Sequence, residues 1–179
     1  MATMVKAPLT GVERTFDPNE LIVSKTDLTG KIVYGNRLFF QLAGYTEQEC
    51  LGKQHNVVRH PDMPRAVFDL LWETIKAGRE IFAYVVNRSS NGDHYWVFAH
   101  ITPSLSSDGA INGYHSNRRT VNRSVLEQHI IPLYRKLREI EASADSPKAG
   151  LANSRKFLTD LLAEKGQSFN QFMFSLEQA

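Results

Sequence analysis

The run His55-Asn56-Val57-Val58-Arg59-His60-Pro61-Asp62-Met63-Pro64 brings two imidazoles, an amide, a guanidinium and a carboxylate close together. Zinc ligation would draw on His55, His60 and a carboxylate, but no His-Glu-x-x-His spacing is present. A hydrolytic triad would need its nucleophile on a tight turn, and the chain has no Gly-x-Ser-x-Gly. Anion recognition fits better. The run leads into a helical pattern, so Arg59 and His60 would present donors beside the positive end of that helix, where phosphate and other anions are held. Arg59 adds a planar fork matched to such oxygens. A plainer alternative has Asp62 capping the helix, Arg59 paired with a carboxylate, and both histidines at the surface.

The elements that must position this run are legible on either side of it. Leu21 to Thr26 is β-prone, Asp27 to Gly30 reads as a turn, and Lys31 to Tyr34 resumes the strand pattern. Asn36 can cap a short helix over residues 37–43 that Gly44 ends. Thr46-Glu47-Gln48-Glu49 has capping-box spacing, closed by Gly52. The next helix is expected to start at Asp62, with Pro64 tolerated in its first turn. Ala66, Val67, Leu70, Leu71, Thr74 and Ile75 share its apolar face, and Gly78 stops it.

Three strands follow: Ile81 to Arg88, His94 to Leu105, and Ala110 to Thr120. The first two are joined by a turn at Ser89 to Gly92, in which Asn91-Gly92 is a hairpin signal that wants positive φ at both positions. The order predicts an α+β domain, a five-stranded antiparallel sheet with helices on one face and a pocket between the two. Along His94 to Ile101 both alternating faces are apolar or aromatic, whereas a half-exposed sheet keeps one polar face. The outer face is therefore expected to be covered, by the leader, the C-terminal helices or a partner.

Beyond Asn122 the pattern is helical, with an interruption expected at Pro132, a linker over 142–150, and one apolar-striped helix from Leu151 to Leu176. The chain thus divides into a leader (1–19), a folded domain (20–120) and a helical extension (121–179).

Composition narrows the function classes. Twenty-one basic against 19 acidic residues give a net charge of +2, too even for a nucleic-acid binder. Cys50 is the single cysteine, so neither an intramolecular disulfide nor a thiolate cluster can form. Charged residues interrupt the first 20 positions, and no stretch has the ~18 apolar residues of a membrane span. A cytoplasmic protein is expected.

Three ordered stretches, Asn36 to Tyr45, His55 to Pro64, and Asn87 to Trp96, resemble the PAS domain of bacterial aerotaxis receptors, and the likeness runs from about Glu20 to Thr120. The resemblance implies a PAS fold that binds FAD and senses redox or oxygen status without catalysing turnover. Carried over position by position, it makes Asn36, His55, Arg59, His60, Asp62 and Asn87 the flavin-pocket residues. Asn87 would read the mixed donor and acceptor edge of the ring. Arg59 would stabilise negative charge on a reduced ring or hold the pyrophosphate. The receptors carry a tryptophan flanking the flavin where this chain has Ile81, which still lines an apolar wall; Phe82 or Trp72 could supply an aromatic contact, Trp72 reading better as core.

Related PAS domains bind haem, for which His55, His60, His94 and His100 are the available ligands. A cofactor-free interaction module is a third reading. The receptors continue into a membrane anchor and a signalling coiled coil, and this sequence shows neither. The resemblance therefore implies a non-covalent chemoreceptor-like partner, with a homodimer through the C-terminal stripe as a further arrangement.

Overall fold

The computed structural model describes residues 7–178. Leader positions 1–6 and the final residue of the extension lie outside it. Two short strands, β1 (Ile22–Thr26) and β2 (Ile32–Gly35), form the first hairpin. Asp27 makes its turn: Oδ1 accepts from the backbone N–H of Thr29 (2.8 Å) and Lys31 (2.9 Å). Three helical segments come next, α1 (Arg37–Ala43), α2 (Glu47–Cys50) and a single 3₁₀ turn (His55–Val58), before α3 (Arg65–Lys76). Strands β3 (Ile81–Arg88), β4 (His94–Leu105) and β5 (Ile111–Arg119) complete one antiparallel sheet in the order β2-β1-β5-β4-β3. The expected architecture is present.

The local chemistry explains most boundaries. Asn36 Oδ1 accepts from Phe39 N–H, and the Thr46–Glu49 capping box is complete. Two expectations are corrected. The turn between β3 and β4 falls where expected, but only Gly92 takes positive φ (95°) and Asn91 does not. Gly92 N–H reaches Ser89 O (3.0 Å) and Ser89 N–H reaches Asp93 O (2.8 Å), so the loop is the longer kind that ends on one left-handed residue. The α3 helix starts at Arg65 rather than at Asp62, and its Pro64 cap offers no side-chain hydrogen bond. Asp62 instead pairs with Arg138 (2.6 Å).

The extension differs more from its sequence reading. A short helix α4 (Arg123–Val125) passes through a π-helical turn (Leu126–Ile130) into α5 (Ile131–Ala142), so the interruption sits just ahead of Pro132. The linker shrinks to residues 143–146, because Ser146 caps α6 (Pro147–Lys165). Gly150, which looked like linker, lies inside α6 because a Cβ there would sit 2.4 Å from Glu141 O; the glycine permits close approach of α5 and α6. Gly166 (φ 62°) then splits the long stripe, and a second capping box, Ser168 with Gln171, starts α7 (Phe169–Glu177).

The outer sheet face is covered mainly by the extension. Tyr134 of α5 donates to Tyr84 O (2.5 Å) and lies beside Trp96. Phe174 of α7 packs edge-on to Phe82 and Phe98, and Asn170 Oδ1 accepts the edge N–H of Phe82 (2.9 Å). The described leader contributes a smaller contact, pairing with the β3–β4 hairpin through His94 N–H to Val12 O (2.9 Å) and Arg14 to Asp93 (2.9 Å).

Candidate functional site

The inner sheet face and α3 enclose a cavity of roughly 570 Å³, within the range of small-molecule and cofactor pockets. Strand alternation decides its lining. On β3 the inward residues Val85 and Asn87 alternate with outward Tyr84 and Val86, and register places Ala99 of β4 beside Arg118 of β5. The floor is therefore mixed, with Val85, Ala99 and Ile101 apolar and Asn87 and Arg118 polar. Trp72 from α3 and Tyr114 from β5 meet edge to face (5.5 Å) as an aromatic wall.

One end of the cavity is polar and cationic. Arg118 is almost fully buried (4% exposed) and has no carboxylate partner among the described residues. Its Nη2 donates to Ser24 Oγ (2.9 Å) and His55 Nε2 (2.9 Å), while Nη1 has no partner. Ser116 Oγ, two residues away on the same face, is likewise buried and unpartnered. A buried donor left unmade costs about 1–3 kcal/mol, so two such atoms lining one cavity are the mark of a site that expects acceptors.

Burial pulls the Arg118 guanidinium down to about 10, which leaves it charged at neutral pH. His55 is drawn down to about 3, first by desolvation and then by the Arg118 charge. Neutral His55 therefore accepts through Nε2 and carries its proton on Nδ1, the tautomer that Arg118 requires. The Asn87 amide is buried and lines the cavity.

A second, open groove of roughly 780 Å³ adjoins the cavity, and Asn56, Arg59 and Arg65 line both. Arg88, Arg138 and His60 make the groove predominantly basic. Arg59 lies over the Phe68 ring (4.6 Å) and donates to Met63 O (3.4 Å); desolvation lowers its pKa.

The sequence-derived site residues fall into two sets. His55, Arg59 and Asn87 line the cavity, and His60 lines the groove, its Nδ1 accepting from Asp62 N–H (3.1 Å). Asn36 is committed to local structure, bonding Phe39, Val23 and Leu21. Asp62 is half-exposed beside Arg138, and Ile81 is in the core outside the cavity lining. Trp72, read as core, lines the cavity, whereas Phe82 faces outward and stacks on His100 (4.1 Å). Arg118 and Ser116 were missed. Their signal was the Tyr114-x-Ser116-x-Arg118 alternation, which places a charge on the inward face of an otherwise buried strand.

A family model described as the PAS fold matches residues 32–117. The aerotaxis receptor of Escherichia coli (strain K12) is 44% identical over 116 residues, which span 65% of this chain and 22% of the receptor. A nitrogen fixation regulatory protein of Klebsiella oxytoca is 27% identical over 109 residues, 60% of this chain and 22% of that protein. The chain thus spans about a fifth of the length of these relatives. Among solved structures, the dark-state LOV domain of the blue-light photoreceptor Aureochrome1 superposes with a TM-score of 0.53 at 25% identity, covering 67% of this chain and 86% of that one. A light-oxygen-voltage domain studied with a flavin analogue gives a TM-score of 0.55 at 17% identity, covering 65% and 87%.

Proposed function

Taking residues 32–117 as a PAS sensory domain of the kind bacterial aerotaxis receptors carry, we propose that this chain binds FAD in the inner cavity and reports its redox state to a chemoreceptor-like protein in the cytoplasm. The observation that carries the reading is the buried, carboxylate-free Arg118 with an unpaired Nη1, beside unpaired Ser116 Oγ and the Asn87 amide. A flavin supplies reversible electron uptake, and the protein tunes it through charges and hydrogen bonds at the ring edge. Arg118 and Ser116 would donate to ring acceptors, and Asn87 can both donate and accept. Trp72 and Tyr114 would flank the ring over the small apolar side chains of Val85 and Ala99. Arg118 keeps its charge fixed in a poorly solvated place, where it favours negative charge on whatever it faces.

Two features refine the proposal. A dinucleotide has a second half to place, and the adjoining groove, whose Arg88 and Arg138 lie outside the cavity lining, favours FAD over a mononucleotide. Light-driven bonding of a flavin to sulfur has no thiol here, because Cys50 is buried on α2, outside the cavity lining, with its thiol pushed up to about 11. Redox status is therefore the favoured input. A haem would find two histidines on the cavity lining, but His55 Nε2 already faces Arg118 at 2.9 Å and His115 Nε2 already faces Asn117 Oδ1 at 3.0 Å. Among the described residues no helix is long and apolar enough to cross a membrane.

The test is flavin uptake by the full chain and by the Arg118→Met and Asn87→Ala variants. Wild-type protein should hold FAD near one per chain, and each variant should bind at least tenfold more weakly. Equal affinity in all three would place the ligand elsewhere.

A further inference from the structure

The N-terminus of α3, at the mouth of the cavity, is capped from outside its own segment. Glu141, at the end of α5 and nearly buried (8% exposed), sets both carboxylate oxygens there. Oε2 accepts from Arg65 N–H (3.1 Å) and Arg65 Nε (3.3 Å), and Oε1 accepts from Ala66 N–H (2.9 Å) and Ser154 Oγ (3.1 Å). One side chain thus ties α3, α5 and α6 together. Further ties join the same helices: Arg155 of α6 pairs with Asp69 (3.3 Å) and Glu73 of α3, and Arg65 Nη1 donates to Pro147 O (3.0 Å). Leu151 of α6 lines the cavity itself.

The cations facing Glu141 are not its alone. Arg65 and Arg59 line both the cavity and the groove in which Glu141 sits, and Arg59 feels the Glu141 charge. We propose that Arg65 and Arg59 are shared between the cavity ligand and Glu141, so that negative charge arising in the cavity competes with Glu141 for them and loosens α5 and α6 from α3. The inference rests on the flavin reading, with an external reductant supplying the electrons. The direction follows from charge: a second anion draws the guanidiniums inward, and Glu141 loses the partners that offset its burial. Linkage makes the effect reciprocal, so loosening the helices also favours the reduced ligand.

The test is hydrogen exchange on the full chain loaded with FAD, oxidised and dithionite-reduced, read over residues 131–165. Wild-type protein should exchange at least tenfold faster there when reduced. Glu141→Gln keeps size and acceptor but removes the charge, and should abolish the redox difference; Ser154→Ala, a milder change, should raise exchange in the oxidised form while keeping part of the difference. If FAD binds and is reduced without altered exchange, or if Glu141→Gln shows the wild-type difference, the shared-arginine switch is overturned while the flavin reading stands. A chain that takes up no FAD overturns both.

Discussion

Arg118 gives the fold a buried, incompletely bonded charge, and that cost makes a sharp test of its role. Desolvation of a buried charge is costly, so replacing it by an apolar side chain of similar length removes that penalty. In Arg118→Met, Ser24 and His55 can still bond each other across their present 3.2 Å. The variant should therefore unfold at the same or higher urea concentration than wild type while losing flavin affinity. A large fall in both would make Arg118 a structural residue. His55 gives a pH signature. Its pKa is about 3 folded against an ordinary value near 6.5, so the unfolded chain binds the extra proton between those values. Stability is full above about pH 6.5 and falls as pH drops toward 3, by at most about 1.4 kcal/mol per pH unit from this group. His60, also lowered by burial, acts in the same direction. Urea midpoints of His55→Gln against wild type from pH 7 to 4 should show a shallower slope in the variant; parallel curves would contradict the assignment.

Local punctuation made the elements readable, and closeness between distant segments made the rest unreadable. The Thr46–Glu49 capping box, the Asn36 cap and the Gly44 stop each act within four residues, so sequence alone exposes them. Gly150 looked like linker because its reason for being glycine, the Glu141 O that a Cβ would meet at 2.4 Å, belongs to another helix. The α3 cap was misplaced onto Asp62 for the same reason: the carboxylate that does the capping is 75 residues away. Among the cavity residues, the His55 to Pro64 run announced itself by density, whereas Arg118 depends on which strand faces inward and beside what. Gly92 joins both kinds of reason. Its positive φ is a local need, and a Cβ there would come within 1.8 Å of Pro8 O in the leader. Gly92→Ala should cost about 1–2 kcal/mol for the left-handed residue alone and should expose residues 7–14 to proteolysis. Unchanged urea midpoint and leader cleavage would show that the hairpin and leader adjust freely.

Across the whole molecule, the extension is bound to both faces of the sheet domain. Its α5 and α7 cover the outer aromatic face, and α6 lies on α3 beside the cavity. The coverage was legible because β4 carries aromatics on a face that would otherwise meet water; that the chain itself provides most of it was not, since the same stripe would suit a partner equally well. Asn170 completes the strap by holding the free edge of β3, and Asn170→Ala should cost about 1 kcal/mol and raise exchange at the Phe82 amide. Within this assembly the claim everything else depends on is that the cationic cavity holds a flavin. The absorption spectrum of the full chain, purified and then reconstituted with FAD under air and after anaerobic reduction, tests it most directly. A bound flavin spectrum that bleaches on reduction and returns with oxygen is predicted. Colourless protein that leaves added FAD free in solution would contradict it.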